Sequence, residues 1–150
     1  MSYEGLTASQ LVDLFADKTR RNRAIVALIG GITATELRNL TVTPEARQAL
    51  INGLSHHNSK VRWWCIQLMD HIADDSYVHP LLNAAKSDPT PKNRRHAIHA
   101  LTCEICKPDR TALKIDTNIR AELETIAAHD ENESVRIMAQ HELKEHNYAH

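Results

Sequence analysis

Four side chains in the stretch RRHAIHALTCEIC, His96, His99, Cys103 and Cys106, fall at helical intervals. Imidazole nitrogen and thiolate sulfur are donors that zinc favours. Side chains three or four residues apart share one face of a helix. His71 and His141 occupy matching places in neighbouring stretches and could supply ligands from adjacent helices. A single straight helix cannot wrap four donors tetrahedrally around one ion, so two or three at most would bind together. The spacing matches no established zinc motif. The competing reading makes Cys103 and Cys106 half-buried small residues inside a helix and the histidines part of a polar groove. A redox role for this C-x-x-C lacks the βαβ context such chemistry uses.

The elements that must position these residues form a repeated unit. Asp88 precedes Arg94 by six residues, and the same step separates Asp17 from Arg23 and Asp130 from Arg136. A fourth copy places His56 before Arg62. Small or apolar residues follow each arginine at the third position (Val26, Cys65, Ala97, Ala139) and, apart from Gly30, at the seventh (Met69, Leu101, Leu143). The arginines recur at roughly 30–45 residues, the interval of a helix-pair repeat. Start signals precede the predicted helices: Thr7 or Ser9, a T-x-x-E capping box at Thr33 and Glu36, Thr43-Pro44, and Asp116 or Thr117. Gly30-Gly31 should stop the second helix, and the helix after Asp88 should run through Ile105 to Lys107-Pro108. No segment alternates with period two long enough to make a strand.

The fold class expected is all-α, an α-solenoid of about four helix pairs. The units span approximately residues 7–40, 43–73, 75–106 and 116–146, with an irregular insertion at 107–115. The D-x5-R pattern with its apolar flanks, as in DENESVRIMAQHEL and HHNSKVRWWCIQLM, resembles the HEAT-like repeats, in particular the short bacterial type found in phycobilisome lyases. That resemblance covers nearly the whole chain and implies that Asp17, Arg23, Arg62, Asp88, Arg94, Asp130 and Arg136 form a structural ladder between units. It implies little about chemistry. The HEAT-like deoxyhypusine hydroxylases carry paired His-Glu motifs, whereas His141-Glu142 stands without a partner pair in this chain.

Counting from each arginine, the second, fifth and ninth positions lie on one stripe. They are Trp64, Gln67 and His71, then His96, His99 and Cys103, then Met138, His141 and Glu145. Second helices of a solenoid line its concave surface, so these residues are expected to form one binding patch. Adjacent Trp63 and Trp64 diverge by about 100° on a helix, so one should pack between units while the other meets the groove.

Composition bounds the partners. The chain has 150 residues, a net charge of −1 with histidine neutral, and 42% hydrophobic residues. That supports one packed domain and offers no global basic footprint for nucleic acid or anionic membrane. Arg20, Arg21 and Arg23, with Arg94 and Arg95, are the basic clusters. The N-terminus lacks the regions of a signal peptide, so a cytoplasmic location is expected. No serine nucleophile, phosphate loop or nucleotide fingerprint is present. The sequence therefore predicts a non-catalytic module binding a protein or peptide partner on its concave face. A zinc-bound or metal-dependent protein is the alternative, and nucleic-acid binding a weaker one.

Overall fold

The computed structural model describes residues 3–38, 40–72, 74–103 and 115–145. Among these residues all regular structure is helical. The α-helices are α1 (Ala8–Asp13), α2 (Arg21–Ile29), α3 (Ala34–Arg38), α4 (Pro44–Gly53), α5 (Ser59–His71), α6 (Val78–Ser87), α7 (Pro91–Thr102), α8 (Thr117–His129) and α9 (Glu133–Glu145). Short 3₁₀ turns follow α1 and precede α6.

Local chemistry sets most of these boundaries. Thr7 caps α1 through a reciprocal pair with Gln10, and Thr33 and Glu36 do the same for α3. Thr43 accepts from Ala46 N, with Pro44 in the first turn. Asn58 caps α5, and Asp116 accepts from Ile119 N to cap α8. Gly30 closes α2 at φ 90°, a left-handed conformation that glycine adopts without steric cost. One end departs from expectation. Helix α7 stops at Thr102 rather than running through Ile105. The Thr102 hydroxyl bonds back to the Ile98 carbonyl at 2.9 Å, and Cys103 turns extended at ψ 114°. Such back-bonding competes with the helical ladder. Cys103 is therefore a helix cap and not a mid-helix residue. Cys106 and all of the predicted insertion except Ile115 lie outside the described residues.

Pairs α1/α2, α4/α5, α6/α7 and α8/α9 form the successive layers. Helices α5, α7 and α9 stack directly on one another, while α6 and α8 pack chiefly on the second helix of their own pair. Close stacking on one side and wider spacing on the other curves a solenoid, which makes the second-helix side the concave one. The core runs continuously through Phe15, Ile25, Leu50, Ile66, Met69, Leu81, Ile98, Leu101 and Leu123. Gly53 permits the closest approach, since a Cβ there would overlap Cys65 Sγ and stand 3.1 Å from Val12 Cγ1.

The turn end carries a ladder. Arg62 donates to Asp88 from Nε at 3.0 Å, and Arg94 donates to Asp130 from Nε at 3.0 Å and from Nη2 at 3.1 Å. Each arginine also reaches back to a carbonyl six residues earlier, Arg62 to His56 at 2.9 Å and Arg94 to Asp88 at 2.9 Å, and Arg136 to Asp130 likewise. In units 3 and 4 the acid thus serves the arginine of the unit before it.

The first unit corrects the sequence alignment. Arg23 is exposed, and Arg21 instead donates to the Phe15 carbonyl at 2.7 Å, again six residues back. Moving the register by two residues puts buried Ala24 where Cys65, Ala97 and Ala139 stand in the later units, and leaves Val26 46% exposed. Asp17 binds Thr19 and Arg20 within its own turn and takes no place between units. At this first junction His56 Nε2 meets Asp13 Oδ1 at 3.0 Å.

Candidate functional site on the second helices

A hollow of about 620 Å3 opens between α4 and α6 near Arg62 and Asp88. Those two groups are already engaged in the ladder. The second-helix face differs. Three hollows there share walls. One of about 430 Å3 is bounded by Arg21, Lys60, Trp63, Trp64 and Lys92. The next, about 260 Å3, is lined by Trp63, Lys92, Arg95, His96, His99 and Met138. A third, about 430 Å3, continues from Arg95 and Met138 to Glu133, Ile137 and His141. The shared residues make one track across α2, α5, α7 and α9. Its ionised lining is Arg21, Lys60, Lys92 and Arg95, with Glu133 the single acid, on a chain whose net charge is −1.

Aromatic rings organise the track. Trp63 stacks on His96 with centroids 4.8 Å apart and planes within 15°, and meets Trp64 edge-on at 5.0 Å. Arg21 lies over the Trp64 ring, its Cζ 4.5 Å from the centroid, and Lys92 Nζ stands 5.6 Å from the Trp63 centroid. Cations at such distances are drawn to the negative face of the indole. Arg21 is aimed by its bond to Phe15, so the helix-start arginine of unit 1 also furnishes the groove. Asn93, buried, ties α7 to α5 by donating to the Ser59 carbonyl at 3.1 Å.

His96 is held neutral. Burial pushes its pKa down to about 4; the nearby charge of Asp70 pulls the other way, while His99, His71 and Lys92 add to the depression. Its Nε2 is buried without a hydrogen-bond partner. Cys65 is buried, and burial pushes its thiol pKa far up, which removes it from thiolate chemistry.

The predicted patch is at the surface throughout. Trp64, Gln67, His71, His96, His99, Cys103 and Met138 are half-buried, and His141 and Glu145 are exposed. Both tryptophans reach the groove, not one. Trp63, Lys92 and Arg95 belong to it and were absent from the predicted stripe. The metal set is redrawn more severely. His71 is engaged with Gln67 at 3.4 Å, His96 stacks on Trp63, and His141 lies out along α9. The donors that converge among the described residues are His99, Cys103 and Asp70, an acid that the stripe passed over.

A family model of HEAT repeats matches residues 21–102, more than half of the chain. No curated protein and no solved structure matches.

Proposed function

From a chain that belongs to the HEAT-repeat family, whose repeats generally serve as protein-interaction scaffolds, we infer a non-catalytic module that holds an acidic, aromatic-bearing peptide segment of a partner protein along its second helices. One observation carries this reading: the pair Trp63 and Trp64, each with a cation at its face, at the centre of a basic track in a chain of slight negative charge. Tryptophan and arginine are the residues that most often dominate binding energy at protein interfaces. Basic side chains around them select carboxylates and steer their approach. Exposed Ile137 at the far end offers apolar surface for the same segment. The neutral His96 serves as a flat floor under Trp63 instead of a proton donor. No helix among the described residues is long and apolar enough to cross a membrane.

The test is a selection of random displayed peptides on the purified chain, followed by fluorescence polarisation of the winners. Acid-rich sequences with an aromatic residue are expected. Lys92→Glu with Arg95→Glu, both at exposed positions, should weaken them at least ~10-fold, the scale of one lost charged contact. Lys18→Glu, on a turn outside the track, should not. Peptides that bind the double variant as tightly as the parent would overturn the reading. Binding of oligothymidylate with a steep salt slope, in place of peptide, would transfer the groove to single-stranded nucleic acid.

A further inference from the structure

We propose that Asp70, His99 and Cys103 form a zinc site that pins the C-terminal end of α7 to α5. The three offer one carboxylate oxygen, one imidazole nitrogen and one sulfur, all within 4.8 Å of one another. His99 Nε2 and Asp70 Oδ2 are already 3.3 Å apart. Donors around a tetrahedral zinc ion, at about 2.0–2.3 Å from the metal, stand roughly 3.3–3.8 Å from each other. The Asp70–His99 edge is already at that length, and the sulfur, within 4.8 Å of both, has to close by up to about 1 Å, a movement within reach of side-chain rotation.

Geometry and charge both favour an ion. His99 and Cys103 lie one turn apart on the same side of α7, and Asp70 comes from the helix stacked beside it. The Asp70 side chain is only 4% exposed. A carboxylate and a thiolate together balance a divalent cation. The mixture of oxygen, nitrogen and sulfur selects zinc over magnesium or calcium, which take oxygen. His99 is 36% exposed, which gives the ion a way in. Three protein donors leave the fourth position to water or another donor.

The surrounding bonds hold the donors in place. The Thr102 hydroxyl, beside Cys103, reaches both the Ile98 carbonyl and Glu142 Oε2 on α9 at 3.0 Å. The Cys103 amide donates to the His99 carbonyl at 2.8 Å, which fixes the turn that brings the thiol back. This site lies at the end of α7; His99 also lines the middle hollow of the groove, whereas Asp70 and Cys103 line none of the three hollows.

The experiment is a cobalt(II) titration of the metal-stripped chain, with zinc affinity measured by competition against a chromophoric chelator. One equivalent of cobalt should give tetrahedral visible bands and a near-ultraviolet thiolate-to-cobalt band. Cys103→Ser should abolish the near-ultraviolet band. Asp70→Asn and His99→Gln should each weaken zinc beyond the ~10–100-fold loss typical of removing a mere outer-shell partner, and His79→Gln, at an exposed position of α6, should leave zinc affinity unchanged. Should Asp70→Asn fail to fold, the Cys103→Ser and His99→Gln results decide. Absence of the thiolate band in the parent, its survival in Cys103→Ser, or unchanged zinc affinity in His99→Gln overturns the site. The cobalt spectrum and the zinc competition report on the metal alone, so their failure leaves the peptide test with Lys92→Glu and Arg95→Glu standing.

Discussion

The first and the later inter-unit junctions solve one problem with opposite means. Between the later units the charge pairs are buried: Arg62 with Asp88, and Arg94 with Asp130, have side chains at most 8% exposed. Each guanidinium also bonds a backbone carbonyl, so its donors are spent in fixed directions. Between the first and second units the polarity is reversed. The acid, Asp13, comes from the earlier unit and is 58% exposed, and the later unit supplies His56. What packs closely at that junction is Gly53 of α4 against Val12 of α1, with Cys65 of its own unit pressed against the same glycine. A solenoid interface can thus be secured by directional charge or by shape, and the two should fail differently.

Arg94→Ala should have the largest effect. It leaves the Asp130 carboxylate with its main partner gone and the Asp88 carbonyl short of a donor. Breaking a buried pair from one side costs about 3–5 kcal/mol. Burial alone would raise the Asp130 pKa, but the Arg94 bonds and charge hold it below the ordinary value. Chemical denaturation of the variant should show the loss. A midpoint within error of the parent would show that the ladder contributes only at the surface scale.

Next in size is a pH effect confined to the later stack. The His96 pKa is near 4 when folded and about 6.5 when unfolded. Below 6.5 the unfolded chain takes up a proton that the folded chain refuses. Stability is therefore full above 6.5 and falls as pH drops toward 4, by on the order of 2–3 kcal/mol. The depressed carboxyls Asp130 and Asp74 act in a lower window, since they release stability only below about 3.8. His96→Phe keeps a ring against Trp63 and should flatten the upper window alone. A parent-like slope between pH 6.5 and 4 in that variant would assign the effect elsewhere.

Gly53→Ala probes the shape-based junction. Alanine favours the helix by about 1 kcal/mol, yet the new methyl has to displace Cys65 Sγ and Val12. Overpacking of this kind costs about 1–3 kcal/mol. A net loss in thermal stability is expected, and Cys65→Ala in the same chain should restore part of it by opening the space. A stabilised single variant would mean that the junction can breathe.

The unequal junctions also mark what could be read from the chain. Helix pairs, the caps at Thr7, Thr33, Thr43 and Asp116, and the Arg62, Arg94 and Arg136 positions were legible because each depends on local spacing. Unit 1 was misaligned because Arg21 and Arg23 both precede apolar residues, and only the bond to Phe15 distinguishes them. Asp70 stayed hidden because the surface stripe was counted at fixed steps from Arg62. Its neighbour Met69 faces the core, and nothing local distinguishes a buried acid that faces the next helix. Lys92 was missed, and the choice between Trp63 and Trp64 was left open, for the same reason, since their partners Trp63, His96 and Arg21 lie across a helix boundary.

The smallest effect belongs to the exposed pair at the first junction. Asp13→Ala removes the contact to His56 while leaving water free to take its place. Pairs of this exposure contribute about 0–1 kcal/mol and weaken with salt. His56 keeps a second use, because its Nδ1 accepts from Asn58 N at 3.0 Å and shapes the turn before α5. His56→Ala should therefore cost more than Asp13→Ala. A double-mutant cycle isolates the pair from that turn, and its coupling should lie below about 1 kcal/mol. The matching cycle on Arg94 and Asp130 should give a coupling near the upper end of the range for contacting residues, about 3 kcal/mol. Equal couplings would erase the distinction between the junctions. A strong coupling between Asp13 and His56 that persists in high salt would mean that the reversed pair is as firmly held as the buried ladder.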